Sequence, residues 1–383
     1  MKYITKLNNQ EKPRLAAIDD TILVAGLPAT AGSKALETFT PLFDAEAVSR
    51  LKDAGYGISG KANVGEFGLD LLGETSFFGA IIDDVGCLTS AASSLVTSGE
   101  VECALCLDAN GAPRRAAALS TTVFIKPTYG TVSRYGVIPC VCSAEQIGVM
   151  AQTVCQAVDT LRVIAGFDEK DGTSVREKAC YDISDAKGLR VFVANEFSQT
   201  TAAEDALTAA GAEIVRGSFP MGEAVRSAWY ILLSAEACNN LSRYDGVKYG
   251  YRAPEYRNID ELYTNSRSQS LGLATKSIIL YGSDVLSKDR YEECYNKALR
   301  VRRAAHEALT KLLTEYDVFL LPACSMPSYS SAGLDDVFIE SIFTAPASIT
   351  GFPCVALRGV QLIARPLFET KVLSAATTLE RMV

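Results

Sequence analysis

Short apolar runs alternate along the chain with segments whose apolar residues recur every three or four positions. Residues 45–54 show the helical period, and Gly55 supplies the stop. Residues 101–107 and 121–125 read as buried strands, and residues 143–165 as one long amphipathic helix. Residues 189–194, 202–210 and 212–215 predict a strand, a helix and a strand, with Gly211 ending the helix. Two more helices are expected over 222–241 and 288–314. Residues 317–321 predict a strand running into Pro322, residues 325–333 a loop, residues 359–364 a last strand and residues 369–381 a closing helix. This alternation is that of the α/β class. There is no internal repeat, low-complexity tract or Pro/Gly/Ser-rich linker, so the expectation is one domain over residues 1–383.

Charge and cysteine content remove several function classes. A net charge of −8 argues against direct nucleic-acid binding, which rests on clustered Lys and Arg. The densest basic run, Arg300-Val301-Arg302-Arg303, falls in a helical pattern and reads as a solvated face. Eleven cysteines include Cys103-x-x-Cys106 and Cys140-x-Cys142 but no second Cys or His pair at zinc spacing, so no metal is expected. The odd count, and the lack of a signal peptide pattern in MKYITKLNNQ, point to a reducing cytoplasm. No apolar stretch reaches the roughly 20 residues that span a bilayer. The single histidine, His306, lies in a helical pattern, which leaves no imidazole base for a Ser-His-Asp triad.

The richest motif is DANGAPRRAAALSTTVFIKPTYGTVSRYG, from Asp108 to Gly136. It resembles the signature of the amidase signature family, G-S-D-T-G-G-S-I-R followed by a strand and K-P-T-Y-G-x-V-S-R-Y-G. The resemblance continues in order through AEAVSRLKDAG, ISGKANVGEFGLD, SAEACNNLSRYDGVKYGYR, LYTNSRSQSLG, DVFLLPA, IFTAPASITGFP and GVQLIARP. Within the family it is similar to the A subunits of tRNA-dependent amidotransferases. It implies a single amidase-signature domain with a central mixed β-sheet covered by helices on both faces. The family's N-terminal helical stretch is expected to be missing here, and the region between Gly73 and Gly86 is short and lacks the usual N-P-W.

Family members use a serine nucleophile, a relay serine and a lysine base. A hydroxyl needs such a base beside it, and lysine serves when burial keeps it neutral. Counted back from Lys126-Pro127-Thr128-Tyr129-Gly130, the nucleophile position is Ala112. The relay position, twenty-four residues earlier, is Leu88, and Gly99 falls on a family glycine in the same register. The lysine of I-K-D-N-I becomes Asp19, and the oxyanion-forming Gly-Gly becomes Asn110-Gly111. A methyl, an isobutyl and a carboxylate replace hydroxyl, hydroxyl and amine.

Thr89, Cys87, Cys106, Ser90, Ser93 and Ser94 stand near these positions as substitutes. Thr89 or Ser90 equally suits the N-cap of a following helix. Arg267 matches the arginine that holds the glutamine carboxylate in the A subunits, and a structural ion pair is the equal alternative. The aspartate that holds the glutamine amino group falls at Ser341; Glu340 stands next to it, about 100° away on a helix. Thr89, Asp108, Asn110, Gly111 and Arg114 would form a residual pocket.

The expected function is that of a catalytically degenerate amidotransferase-A-like protein, a binding protein or complex component without cofactor. Its partners would be B-like or C-like amidotransferase subunits, or a small amino-acid or amide ligand. Two alternatives are an active amidase or glutaminase with relocated chemistry, and an amino-acid sensor working through Arg267.

Overall fold

The computed structural model describes residues 1–7, 12–83, 85–219, 221–331 and 333–381. Among the described residues eleven strands join one sheet: β1 (Tyr3–Lys6), β2 (Leu15–Asp19), β3 (Gly57–Ala62), β4 (Cys103–Asp108), β5 (Val123–Lys126), β6 (Gln146–Ala151), β7 (Arg190–Ala194), β8 (Glu213–Gly217), β9 (Val318–Pro322), β10 (Cys354–Leu357) and β11 (Val360–Ile363). Their order is β1-β3-β2-β4-β6-β5-β10-β11-β9-β7-β8. Strands β2, β3 and β4 pair in parallel, as do β7, β8 and β9, while the centre is antiparallel, so the sheet is mixed.

The helices are α1 (Glu46–Asp53), α2 (Ala91–Thr97), α3 (Ala112–Ala118), α4 (Val154–Ile164), α5 (Thr201–Ala209), α6 (Gly222–Leu241), α7 (Ile259–Ser270), α8 (Leu273–Val285), α9 (Asn296–Glu315), α10 (Leu334–Thr350) and α11 (Glu369–Arg381). Strand alternation divides the core between the two faces of the sheet. On β4, Cys103, Leu105 and Leu107 pack with residues of α1, α4 and α11, whereas Ala104 and Cys106 pack with residues of α2 and α3. The same alternation separates the C-x-x-C pair, since Cys103 and Cys106 enter different clusters on opposite faces. Among the described residues no group of three His, Cys, Asp or Glu side chains is placed to hold a metal ion. No helix among them is long and apolar enough to cross a membrane.

One expected element is wrong. Residues 143–165 are not one helix: β6 occupies Gln146–Ala151, and α4 begins only at Val154. Ile147, Val149 and Ala151 face one cluster and Met150 the other, so this run is buried on both sides between β4 and β5. Such a fully buried strand has no polar alternation to distinguish it from a helix. The break is marked by Thr153, whose side chain accepts from Gln156 N–H in a capping box.

Candidate functional site

The site forms where β2 and β4, parallel neighbours, both end. After Asp108 the chain turns through Asn110 and Gly111 and enters α3, with Ala112 its first residue. Gly111 has φ +89°, and a Cβ there would lie 2.5 Å from the Thr344 side chain. Only glycine fits this turn. Gly111 N–H donates to Asp108 Oδ1 at 2.9 Å, and the Asn110 amide joins Leu69 O at 3.2 Å and Trp229 Nε1 at 2.9 Å.

Ala112 faces a cavity of about 40 Å³. Asp19, from the end of β2, lines it together with Ser90, Cys106, Asn63 and Asp70. This volume admits water, but ligand pockets run to about 300–1,000 Å³. Burial pushes the Asp19 carboxyl up to about 7, against the opposing Leu107 N–H, which it accepts at 3.1 Å. Asp70 is also held at about 7, by burial and the neighbouring Glu74, although it accepts from Gly73 N–H and from the Thr75 backbone and hydroxyl. Burial lifts the Cys106 thiol well above its usual range, so it is not a thiolate.

Beneath Asp19 lies Lys61, fully buried in β3. Its Nζ donates to Asp19 O at 3.0 Å and to Ile22 O, and burial pulls it down to about 8. Asp20 accepts from the Thr30 backbone and hydroxyl through Oδ2, while its buried Oδ1 has no partner among the described residues. Lys126 is buried as well, donates to Phe352 O at 3.1 Å and sits at about 8 for the same reason. Neither lysine stands out in the sequence as a buried amine. The available signal is a charged residue inside a short, otherwise apolar or small-residue run.

Of the other expected site residues, Leu88 and Thr89 do not line this cavity, and the hydroxyl of Ser90, which does, is engaged elsewhere. Leu88 is buried in an apolar cluster with Leu72, Ile81 and Leu95, and Thr89 is half-buried with its N–H on Ile81 O. Ser90 caps α2, its hydroxyl accepting Ser93 N–H at 3.1 Å. The residual pocket expected around Asp108, Asn110 and Arg114 is instead a filled support. Arg114, with no exposed surface, donates to Asp108 Oδ2 at 2.7 Å, Ser348 Oγ at 2.6 Å, Thr344 O at 2.8 Å and Gln361 Oε1 at 3.1 Å. Arg115 beside it is equally buried and bonds Asn110 O and Thr344 Oγ1.

The expected glutamine-binding residues are likewise engaged elsewhere. Arg267 donates through Nη1 to Leu241 O at 2.9 Å and Tyr244 O at 3.2 Å, closing the C-terminal turn of α6. Ser341 donates back to Phe338 O at 2.7 Å within α10. Glu340 accepts from Ser325 N–H at 3.1 Å and from the Ser325 and Tyr329 hydroxyls. A side chain so used has little capacity left for an ammonium group. His306 is exposed on α9, its ring edge-on to Phe352 at 5.0 Å. Of the basic run, Arg303 pairs with Glu307 on the surface, but Arg302 reaches Ser143 Oγ at 2.6 Å and Ser143 O at 2.7 Å.

Comparison with known proteins identifies this frame. The family model described as Amidase matches residues 14–371. The chain belongs to the amidase signature family. It is similar to the A subunit of glutamyl-tRNA(Gln) amidotransferase from Lachnoclostridium phytofermentans, 36% identical over 407 residues, covering 95% of this chain and 82% of that one. The Lactobacillus gasseri protein of the same name is 36% identical over 398 residues, covering 95% and 83%. The crystal structure of the corresponding Thermotoga maritima protein superposes with a TM-score of 0.82 at 28% identity, over 100% of this chain and 87% of that one. The amidase signature frame is tied together here by Glu369 of α11, whose Oε1 accepts the Thr128 N–H at 2.9 Å and hydroxyl at 2.7 Å.

Proposed function

We propose that this chain is a pseudoenzyme of the amidase signature family. It resembles the A subunit of glutamyl-tRNA(Gln) amidotransferase and acts by binding or as one component of a complex. One observation carries the reading. The position expected for the nucleophile is a methyl group, Ala112, facing a cavity of about 40 Å³. That cavity also holds Asp19 where an amine base is expected, while Leu88 fills the relay position with buried apolar surface. Without hydroxyl, relay and base, acyl transfer has no first step.

On this reading the protein is cytoplasmic and sits beside B-like or C-like amidotransferase subunits, using neither cofactor nor metal and contacting no nucleic acid or membrane directly. The test is ammonia release from glutamine, asparagine and simple amides by the purified protein, alone and with such subunits. No release above background is expected. Turnover that disappears in Thr89→Ala or Cys87→Ala would overturn the reading.

A second reading, an active glutaminase with relocated chemistry, draws on the name its relatives bear. Ser90 and Cys106 line the cavity and are its candidates. The capping role of the Ser90 hydroxyl and the protonated state of Cys106 weigh against it. Labelling by a fluorophosphonate that maps to Ser90 would support it. Sensing of an amino acid through Arg267 is weakened by its bonds to the α6 carbonyl of Leu241 and to Tyr244 O.

A further inference from the structure

A second cavity is far larger than the one at Ala112. It measures about 720 Å³, within the range of about 300–1,000 Å³ of small-molecule sites. Leu23, Leu36, Phe39, Ile138 and Pro139 form apolar walls, and Tyr244, Tyr249 and Arg243 close the remaining side. Phe39 and Tyr249 remain 39% and 49% exposed, so apolar wall surface is open to solvent rather than packed away.

The walls are held from behind. Ile138 N–H donates to Thr21 O at 2.8 Å, Leu23 N–H to Gly136 O at 2.9 Å and Tyr251 N–H to Ala35 O at 2.9 Å. Tyr244 stacks on Phe67 with ring centroids 5.5 Å apart, and Arg267 fixes its carbonyl. Arg243 is fixed too. Its Nε donates to Asn240 O and its Nη2 to Asn240 Oδ1, both at 2.8 Å, and Asn240 in turn donates to Cys140 O at 2.9 Å. Nη1 is left without a protein partner among the described residues, and so are the hydroxyls of Tyr244, Thr38 and Thr40. Among the described residues no Asp or Glu lines the cavity, and the exposed Arg243 guanidinium has no carboxylate partner there.

We infer that this cavity is a binding site for a small organic carboxylate, with its apolar body between Phe39, Ile138 and Tyr249 and its carboxylate on Arg243 Nη1. The chemistry follows from the two halves of the site. Apolar walls favour an apolar body that leaves water, and a pre-oriented guanidinium selects an anion. The arginine involved is Arg243, not Arg267, which acts here only as a positioning residue for the Tyr244 carbonyl. This inference does not rest on the loss of catalysis at Ala112.

The probe is anilinonaphthalene sulfonate, a fluorescent apolar body with one anionic group, titrated against the full chain. One saturable site is expected. Phenylpropionate should displace the probe, and phenylpropionamide, its uncharged counterpart, should not. Arg243→Met should weaken binding about tenfold or more, the worth of one charge-assisted hydrogen bond. Thr38→Trp, at an exposed rim position, should block the mouth without touching the core. Ala112→Leu, which fills the small cavity, should change nothing, and that arm separates this site from the family's catalytic positions. Unsaturable binding, equal displacement by the amide, or full affinity in Arg243→Met would overturn the inference. Ammonia release by the wild-type chain would bear on the proposed function alone.

Discussion

Asp19 and Leu107 meet across the seam between β2 and β4, where the carboxylate accepts the Leu107 N–H at 3.1 Å. That single bond does not offset burial, which holds Asp19 at about 7, as it does Asp70. Both values lie above those of an unfolded carboxylate, so the folded chain binds the extra protons. The resulting stabilisation is complete below about pH 4 and is lost as pH rises through about 7. The melting temperature should therefore fall between about pH 5 and pH 7, each group contributing up to about 1.4 kcal/mol per pH unit. Asp19→Asn should flatten the fall. A slope unchanged in that variant would show that Asp19 does not titrate in this window.

The buried amines predict the opposite trend at higher pH. Lys61 and Lys126 are both pulled down to about 8 by burial, below an unfolded lysine. The unfolded chain then binds more protons than the folded one, so stability should rise from about pH 8 toward pH 10. Lys61→Met should reduce that rise. It should also cost about 2–4 kcal/mol near neutrality, because the Asp19 and Ile22 carbonyls lose their donor and Asp20 loses a nearby cation. Urea titrations at two pH values measure both effects.

The legible parts of the fold are those with a local signal. Gly55 and Gly211 end α1 and α5 at φ +88° each, and α6 and α11 match their apolar periods. Strand β6 is not legible, because a strand buried on both faces has the composition of a helix core. Helix α7 buries Ser266 and Ser270 beside Leu262, so it carries no apolar stripe for periodicity to find. In the site, register alone locates Ala112 and Asp19, which the structure brings to one cavity. Register does not reveal that Arg267, Glu340 and Ser341 spend their polar atoms internally, since each bond joins residues whose rotamers no sequence pattern specifies. The large cavity beside Arg243 is invisible for the same reason: its walls come from segments far apart in the chain, around Leu23 and around Arg243.

Gly111 gives a sharper structural test. Its φ of +89° and the 2.5 Å separation between an added methyl and Thr344 are two separate obstacles to any side chain. Gly111→Ala should cost about 2–4 kcal/mol, more than the roughly 1 kcal/mol of a positive-φ penalty alone. Thr344→Gly should return only the steric part. Chemical denaturation of the single and double variants separates the two, and full recovery in the double variant would leave no cost assigned to φ.

Ala112→Ser places a hydroxyl at the position we propose to correspond to the family's nucleophile, yet it should remain silent. The new Oγ would face Asp19, a carboxyl at about 7, instead of an amine, and Leu88 would still offer no relay. A carboxylate at this position could accept a proton above pH 7, so any activity should appear on the alkaline side and vanish in the Asp19→Asn background. The cavity of about 40 Å³ also leaves no room for the substrate chain. The expected outcome is no ammonia release and no fluorophosphonate label at residue 112, with melting temperature within a degree or two of the parent, since one oxygen fits the open volume. Robust hydrolysis by Ala112→Ser alone, at neutral pH, would mean that a base other than Asp19 is already in place.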